Sequence, residues 1–348
     1  MIGGKAYFSV FSYCFLAMNR WWSVFWFRGI LLLLENFSFS IDPSSRIAEG
    51  DFILISHAHG DHISGFKSSK PKLASHITIK LYEAQTGRKL RDAFPAFLSS
   101  QRFTVGGLDI EVHDSGHILG SSQFLFLKHS YSLVYTGDLN LEETIITKPA
   151  KPIECDELII DSTYGHWDLV FPKRDDVYAD IVNWVESLLS SGRAPVFIAY
   201  SIGKAQELIA LLNEWLDVKV LIDDKIKKVN RVYEACGFKF NCVNLSTKEG
   251  WEALKSNSLP AVFSSRESFK LAEKHGFLKA IATGWTLIYP YRNFHACFPL
   301  SNHADFPQLI NYIEEAKPKI VYTFGYHAKR FARWIKRNMG IESVALVD

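Results

Sequence analysis

Three imidazoles and one carboxylate lie within residues 57–62, where the chain reads HAHGDH. Imidazole and carboxylate groups without thiolate are typical ligands of zinc in a hydrolytic site, which keeps one coordination position open for water. His57 and His59 can share one face of the chain, whereas Asp61 and His62 follow a glycine and would serve a second, nearby ion. The alternative is a polar helix N-terminus with hydrogen-bonded histidines. The density of ligand types favours the metal site.

These ligands begin where a predicted strand ends. Residues 51–56 (DFILIS) form a short apolar run after Gly50, which predicts a buried strand. His117 lies between the strand-like runs GLDIEVH and QFLFLK, and Asp138 ends the strand-like run SLVYTGD. Each of the two residues alone is also typical of a turn. Because strand-end loops can direct several side chains to one point, we expect two metal sites that share one carboxylate.

In this order the segments resemble the motifs of the metallo-β-lactamase fold. HAHGDH, SGHILGS and YTGDLN are similar to its second, third and fourth motifs, and Asp42 in FSFSIDPS matches the first. In that family this aspartate supports the ligand loop and does not bind metal. The resemblance implies two zinc ions, with Mn²⁺ or Mg²⁺ as alternatives. The implied ligands are His57, His59 and His117 for one metal, Asp61 and His62 for the second, and Asp138 between them.

Three further segments resemble the β-CASP nucleases, which cut nucleic acids. LIIDSTYGHWDLVFP contains Asp161, YSIGKAQEL contains Lys204 and FPLSNHADF contains His303; they are similar to motif A, a central element and motif B of that group. The similarity extends from about Arg28 to Gly340. It implies that nucleic acid is the partner of this chain.

The resemblance also implies the organisation of a mixed α/β fold. A metallo-β-lactamase αββα sandwich would comprise residues 1–170 and 289–348, and an inserted β-CASP α/β domain would comprise residues 171–288. Within the insertion, helix-like stretches such as DDVYADIVNWVESLLS alternate with strand-like runs such as PVFIAY, which predicts a parallel sheet of βαβ units. The metal ligands and His303 would meet in the cleft between the domains.

Motif C lacks an expected ligand of the second metal. RNA-cutting β-CASP members carry a histidine there, whereas the matching stretch VYTFG has Phe324. An apolar residue at this place resembles the DNA-directed branch, which includes Artemis and the DNA cross-link repair nucleases. LSNHADF and GHILGSS resemble instead the prokaryotic exonucleases associated with DNA ligase, which usually keep the histidine. We therefore expect weaker binding of the second metal.

His327 lies three residues beyond Phe324 and offers a replacement for the missing ligand. A shift of three residues at a helix start displaces a side chain by about 4.5 Å, which exceeds the tolerance of a metal bond. We therefore predict a substrate-facing or surface histidine.

The residue types fit the hydrolysis of a phosphodiester. This anion repels hydroxide, so its cleavage needs charge neutralisation, an ionised nucleophile and a proton for the departing oxygen. Two metals meet the first two needs. We predict that Asp61 is catalytic as well as ligating, and that His303, oriented by Asp161, is the general acid or a phosphate-binding group.

Two segments are candidates for further phosphate contacts. Lys204 stands at a predicted helix N-terminus close to Ser201, where amides, a hydroxyl and an ammonium form an anion pocket. The resemblance implies that a terminal 5′-phosphate binds there; the alternative is an ordinary helix start with a solvated lysine. Residues 329–337 predict an amphipathic helix whose Lys329 and Arg333 contact either phosphates or only water.

Composition sets wider limits. The 348 residues suffice for two compact units, and a net charge of +2 means that any basic groove is local. Five cysteines without a CxxC pair disfavour a disulfide framework and fit the cytoplasm, without membrane association. We favour a DNA exonuclease in repair or end processing. The alternatives are an RNA-processing nuclease, a non-catalytic nucleic-acid-binding subunit, and a small-molecule hydrolase of the glyoxalase or lactonase type.

Residues 6–34 are almost wholly apolar and aromatic. They have the outline of a signal peptide, but no small-residue cleavage site follows, and Arg20 shortens the run below the length that spans a bilayer. We predict instead that Met18 is the natural start, that residues 1–17 are an upstream extension, and that RGILLLL and FSFSID form the first strands.

Overall fold

A computed structural model describes residues 21–98 and 101–347. The predicted upstream extension, residues 1–17, lies outside the described residues. No helix within the described ranges has the length and apolar character that crossing a bilayer requires.

Nineteen strands form three sheets in the described residues. The strands are β1 (Ser23–Trp26), β2 (Ile30–Leu33), β3 (Ser38–Ile41), β4 (Phe52–Ile55), β5 (Lys72–Ser75), β6 (Ala93–Ala96), β7 (Arg102–Val105), β8 (Leu108–Asp114), β9 (Ser122–Lys128), β10 (Tyr131–Tyr135), β11 (Glu157–Asp161), β12 (Pro195–Ile198), β13 (Val220–Ile222), β14 (Cys242–Asn244), β15 (Ala261–Phe263), β16 (Leu278–Ala282), β17 (Ala296–Phe298), β18 (Ile320–Phe324) and β19 (Glu342–Ala345).

Eight α-helices and two short 3₁₀ helices accompany the strands in these ranges. The α-helices are α1 (His76–Thr86), α2 (Arg174–Ser190), α3 (Lys204–Leu216), α4 (Asp224–Ala235), α5 (Lys248–Ser256), α6 (Arg266–Lys274), α7 (Phe306–Ala316) and α8 (Ala328–Asn338). The 3₁₀ helices span Ile63–Lys67 and Gly284–Leu287. The mixed α/β fold is therefore confirmed.

The first two sheets pack face to face. In the first, β1 to β6 follow chain order, with β1–β3 antiparallel and β3–β6 parallel. The second has the order β19-β18-β11-β10-β9-β8-β7 and is parallel from β10 to β19. Phe39 of β3 meets Phe126 of β9 at a ring separation of 5.9 Å. An apolar core therefore lies between these two sheets.

Helices cover the outer faces of the two sheets. On β4, Leu54 faces the core between the sheets, whereas Ile53 and Ile55 face α1, because successive side chains of a strand alternate. Helices α7 and α8 cover the second sheet. Parallel strands between two covered faces are buried on both sides, which explains why the run before the ligand cluster is continuously apolar.

The third sheet has the order β14-β13-β15-β12-β16-β17, and all its strands are parallel, as predicted. Helices α2 and α3 pack on one face, and α5 and α6 on the other. Strand β17 pairs with β16 beyond residue 288, the predicted end of the insertion, and the chain then returns to the second sheet through α7 and β18. A strand of three residues is too short for a pattern to predict.

A small apolar cluster joins the third sheet to the ligand loops. It contains Ala58 and Ile118, which neighbour predicted ligands in the chain, together with Ile202, Ala210 of α3 and Tyr233 of α4. All five side chains are buried. Packing of α3 and α4 therefore fixes the position of two loops that carry predicted ligands.

Candidate metal centre

His57 is the second residue after the buried end of β4, and its side chain is fully buried. Its Nδ1 lies 2.9 Å from the hydroxyl of Ser56. Its Nε2 is buried and has no hydrogen-bond partner in the described part of the chain. Because an unpaired buried nitrogen costs free energy, this atom fits a metal ligand better than a structural group.

Four imidazole nitrogens surround one carboxylate oxygen. Measured from Oδ2 of Asp138, the Nε2 atoms lie at 3.4 Å for His57, 3.6 Å for His62, 3.7 Å for His117 and 3.9 Å for His303. Asp138 thus occupies the middle of the cluster, where a carboxylate can contact two cations at once.

One group of possible ligands combines three histidines with this carboxylate. Its ligand atoms lie within 4.8 Å of one another, and its members are His57, His59, His117 and Asp138. Nδ1 of His59 lies 3.1 Å from Nε2 of His117. The other ring nitrogens are held by backbone carbonyls, His59 by Ile202 at 3.2 Å and His117 by Asn302 at 2.7 Å. These contacts fix the ring orientation and point the remaining nitrogens at a common centre.

The same three imidazoles favour the neutral form. Burial lowers the pKa of His57 and of His117 well below the ordinary value of 6.5, and lowers that of His59 to about 4. A metal binds only the neutral imidazole, so no proton has to be displaced from this group at neutral pH.

His62 belongs to a different environment. Its Nδ1 donates to Oδ2 of Asp42 at 2.9 Å, and its Nε2 lies 3.5 Å from Oδ2 of Asp61. Burial opposes the charged form of His62, yet Asp138 and Asp42 outweigh burial and raise its pKa to about 10. The Asp61 side chain is 81% exposed. This half of the site is therefore open to solvent and rich in carboxylates.

Asp42 ties the loop after β3 to the loop after β4. It adopts a left-handed backbone with φ of 46°. Its carboxylate accepts hydrogen bonds from the Ser56 amide at 2.7 Å, the Ser56 hydroxyl at 2.5 Å and the Tyr135 hydroxyl at 2.7 Å, in addition to His62. With these contacts its oxygens are occupied by the protein. Asp42 is therefore placed to support the ligand loop.

His303 and Asp161 form a third group with Asp138. Nδ1 of His303 lies 2.9 Å from Oδ2 of Asp161, and the other oxygen of Asp161 accepts from the amide and hydroxyl of Thr163. Burial opposes protonation of His303, but Asp138 and Asp161 outweigh it and raise the pKa of this imidazole. The ring is thus oriented and favours its protonated form.

Phe324 is buried at the end of β18 and stacks on Tyr135, with ring centroids 5.3 Å apart. No imidazole replaces it among the described residues. His327 belongs to none of the three ligand groups, because it immediately precedes α8 with its side chain buried between His166 and Tyr326. Of the two predicted alternatives for His327, the surface position is wrong, since these aromatic neighbours cover the ring, and the substrate-facing position stays a prediction.

Except for the fully buried His57, these histidines and carboxylates line a cavity of about 810 Å³. Tyr200, Trp285 and Tyr326 form part of its wall, and segments from all three sheets contribute. This volume is in the range of pockets that enclose small organic ligands or one unit of a polymer.

Lys204 lines this cavity but is not a free cation. Its side chain is buried, and Nζ donates to Glu207 at 3.0 Å. Burial lowers the pKa of Lys204 to about 8 in spite of that carboxylate, so the ammonium remains charged at neutral pH. The solvated lysine of the alternative interpretation is therefore wrong. Ser201 lies outside the lining found for the described residues, and its hydroxyl accepts from Gln85 at 3.0 Å.

The structure does not bring Lys329 and Arg333 to the metal cavity. Both are exposed on α8, whose apolar face is buried through Phe331 and Ile335, so the predicted amphipathic helix is confirmed. Neither residue lines the metal cavity in the described part of the chain. Arg333 instead lines a separate cavity of about 220 Å³.

The sequence interpretation missed a buried polar network behind His117. Asn302, whose carbonyl holds His117, donates its side-chain amide to Glu207 at 2.7 Å. Glu207 also accepts from Arg174 at 2.5 Å, and Arg174 donates to the carbonyl of Ser301. The charged residue Glu207 stands within a mostly apolar helical stretch, AQELIALL, and this was the available signal.

Comparisons with known proteins identify several relatives. The chain is 32% identical over 301 residues to "Probable DNA ligase" of Opitutus terrae, a match that covers 84% of this chain and 28% of the relative. It is 29% identical over 188 residues to "RNase aCSPSF2" of Saccharolobus solfataricus, covering 46% of this chain and 38% of the relative. The chain thus spans well under half the length of these two relatives.

Most of the chain also resembles a solved structure, a protein of unknown function from Enterococcus faecalis V583. The TM-score is 0.65 at 14% sequence identity, and the match covers 92% of this chain and 96% of the other. This likeness concerns the fold alone. No family model matches the chain.

Proposed function

Because the chain belongs to the β-CASP group of metallo-β-lactamase-fold proteins, we propose that it is a metal-dependent nuclease that hydrolyses phosphodiester bonds of DNA. One observation carries the proposal: imidazoles on two sides approach a single Asp138 oxygen, and one of them, His303, is itself held by a second carboxylate, Asp161. A phosphodiester can bind across such a centre between the cations and a proton donor.

The residues present fit a pair of divalent cations. The unpaired Nε2 of His57 and the neutral imidazoles of His59 and His117 would hold one ion, and Asp61 with His62 would hold the other. Asp138 would bridge them. Two bound ions would neutralise the phosphate and lower the pKa of water toward ~7. We propose zinc, with Mn²⁺ or Mg²⁺ as the alternatives that metal analysis distinguishes.

His303 would supply the proton. Its Nδ1 is engaged by Asp161, so Nε2 is the nitrogen directed toward the cavity. The pKa of His303 is raised by Asp138 and Asp161, which stabilises the imidazolium relative to that of a free imidazole and suits donation to a departing alkoxide. Lys204, charged and in the cavity wall, would add a positive potential for phosphate without forming a free anion pocket, because Glu207 balances it.

We propose the corresponding domain organisation as well. Two face-to-face sheets with α1 on one side and α7 and α8 on the other fit an αββα sandwich, and the parallel third sheet fits an inserted β-CASP domain. The pairing of β17 with β16 favours an end of the insertion after Phe298. The metal cavity would then lie between the domains.

Digestion of end-labelled DNA and RNA of matched sequence, single-stranded and double-stranded, tests the proposal. We expect metal-dependent cleavage of DNA that stops on chelation and is absent in Asp138→Ala. A 5′-phosphorylated strand and its 5′-hydroxyl counterpart should be compared in the same assay. Absence of cleavage of every substrate by metal-loaded protein would contradict the nuclease assignment.

RNA is the second candidate substrate, because one relative is named an RNase and matches nearly half of the chain. Faster cleavage of the RNA strand in the same assay would make RNA the substrate in place of DNA. A metal-loaded protein that binds both strands and cuts neither would instead be a nucleic-acid-binding subunit.

A further inference from the structure

A second cavity next to α8 combines arginines with aromatic rings. It encloses about 220 Å³, and its lining includes Arg330, Arg333, Arg337, Trp167, Trp334 and His166. The arginines recur at helical spacing, so their side chains form one stripe along α8. We name this site the arginine cavity.

The charges of the arginine cavity are not explained by internal ion pairs. Arg330, Arg333 and Arg337 make no ion pair with a carboxylate among the described residues, whereas Lys336 of the same helix is paired with Glu342 at 2.9 Å. The only hydrogen bond of their guanidinium groups in these ranges is from Arg333 to the carbonyl of Lys329. Three like charges on neighbouring turns repel one another, which lowers helix stability.

The helix dipole does not account for the stripe either. A cation is stabilised at a helix C-terminus, and Arg337 is in the last turn of α8. Arg330 is in the first turn, where a cation is unfavourable and where no acidic residue is present. An external anion would stabilise all three arginines, and the cavity provides a place for it.

A row of aromatic rings connects the metal cavity to the arginine cavity. Consecutive ring centroids lie 4.8 to 5.9 Å apart in the order His303, Tyr164, Trp285, Tyr326, His327, His166 and Trp167. Trp285 and Tyr326 line the metal cavity, and His166 and Trp167 line the arginine cavity. We name these rings from Tyr164 to Trp167 the aromatic row.

The exposed rings of the row have the character of a binding surface. Trp167 is 65% exposed and Tyr326 is 63% exposed, while His166 and His327 pack beneath them. Large exposed aromatic side chains that continue from an active-site cavity are typical of a ligand surface. The nearby carboxylate of Asp168 contacts His166 and is therefore already paired.

We propose that the aromatic row and the arginine cavity bind single-stranded DNA that extends from the metal cavity. A single strand offers base faces for stacking on Tyr326 and Trp167 and phosphates for the three arginines. A duplex hides its base faces, so only an unpaired strand satisfies both kinds of group. The inference rests on the proposed nuclease function and specifies the form of the substrate and its path.

Fluorescence anisotropy with labelled oligonucleotides tests the proposal, using the full chain in the presence of a chelator so that no cleavage occurs. We expect single-stranded DNA to bind more tightly than the matched duplex. Trp167→Ala should weaken binding of the single strand about tenfold, whereas Trp167→Phe, which keeps a stacking ring, should restore most of it. Trp167 is exposed, so both variants should fold.

The arginines are tested by the salt dependence of the same binding. Arg333→Ala should weaken binding and reduce the slope of log affinity against log salt by about 0.7, the value for one phosphate contact on a single strand. Lys336→Ala is the matched control, because this cation lies on the same helix in an ion pair with Glu342, and it should leave affinity and slope unchanged.

Three results would overturn the proposal: unchanged binding in both Trp167→Ala and Arg333→Ala, equal affinity for duplex and single strand, or RNA bound more tightly than DNA. A separate result concerns the proposed function. If metal-loaded protein binds the strand with these variant effects but does not cut it, the nuclease assignment fails and the strand path stands. If it cuts DNA while the variants bind normally, the path fails and the assignment stands.

Discussion

The two halves of the metal centre are built differently. His57, His59 and His117 are neutral imidazoles, and each has its second ring nitrogen held by a hydroxyl or a carbonyl. His62 stands among carboxylates, and its neighbour Asp61 has a side chain that is 81% exposed. The first half is a closed and fixed set of nitrogens, whereas the second is open and depends on charge. A protein can thus hold one cation tightly and leave the other exchangeable within a single cavity.

Asp138 is the residue that the two halves share, so its removal has the largest expected effect. We expect Asp138→Ala to bind neither metal and to lose all cleavage, because the bridge disappears and His57 and His62 lose their common carboxylate. Metal content by mass spectrometry and the rate of DNA cleavage measure this. Glu154→Ala, which removes a 76% exposed carboxylate, is the control. Retention of both metals in Asp138→Ala would show that the halves are independent.

Replacement of Glu207 tests the contribution of the buried polar network behind His117, which supports the first half of the metal centre. We expect Glu207→Gln to lower the free energy of unfolding by roughly 3–5 kcal/mol, because it leaves the buried charge of Lys204 without a carboxylate and leaves Arg174 with only the partly exposed Glu142. Glu249→Gln is the matched control. The ion pair of Glu249 with Lys219 has the same length as the pair of Glu207 with Lys204, 3.0 Å, but it is exposed, so we expect a change in the free energy of unfolding within about 1 kcal/mol. Denaturant unfolding of metal-free protein measures both.

The same network predicts a pH dependence. Burial would raise the pKa of Glu207, but Lys204 and Arg174 outweigh it and lower that pKa from 4.5 to about 2. The folded-state pKa is depressed, so the stability contributed by ionised Glu207 is present above about pH 4.5 and is lost as the pH falls through about 2. Glu207→Gln should therefore show a shallower loss of stability than the wild type over this range. Identical slopes would show that ionisation of Glu207 does not contribute to the pH dependence of stability.

Replacement of Asp61 tests the second half of the metal centre independently of the first. We expect Asp61→Ala to keep one metal and to lose the other, and to cut DNA about 10²-fold more slowly, since one source of charge stabilisation disappears. Metal stoichiometry and cleavage rate are the two measurements. The exposed Asp61 makes a folding defect unexpected, and a thermal melt of the metal-free variant checks this. Loss of both metals would mean that the halves assemble together.

Replacement of Phe324 by histidine has the smallest expected effect of these changes. We expect Phe324→His to tighten binding of the second metal about tenfold, because an imidazole would enter the open half while an aromatic ring still stacks on Tyr135. Phe324→Leu is the control, since it adds no ligand. A metal titration that follows the weaker site compares the three proteins. Equal metal affinity in wild type and Phe324→His would mean that a side chain at position 324 does not reach the second ion.

Local pattern and spacing in the sequence were sufficient to predict the elements that have a regular pattern of apolar residues. The run FILI predicted β4, and the alternation of helical and strand-like stretches predicted the parallel third sheet. Imidazoles on separate strand ends were expected to converge, and the structure brings His57, His117 and Asp138 together. Chemistry of this kind is visible in a sequence because few other arrangements use such residues at strand ends.

Other features depend on contacts between distant segments, and no local pattern carries them. Phe324 predicted the absence of an imidazole but not its stacking on Tyr135, which in turn holds Asp42. The extension of the third sheet to β17 depends on three residues. Lys204 was predicted beside phosphate, yet its partner Glu207 follows one turn later on the buried side of α3. Contacts with distant segments, rather than residue type, decided each of these outcomes.

Two carbonyls on segments that flank elements of the third sheet hold histidines of the candidate metal centre. Ile202, between β12 and α3, holds His59, and Asn302, between β17 and α7, holds His117. The third sheet is therefore not a detachable module. Exchange of this unit for that of a relative would transplant two hydrogen-bond acceptors of the metal centre along with any substrate surface. Chimaeras joined on either side of residues 202 and 302 should consequently differ in metal affinity even when every ligand is retained.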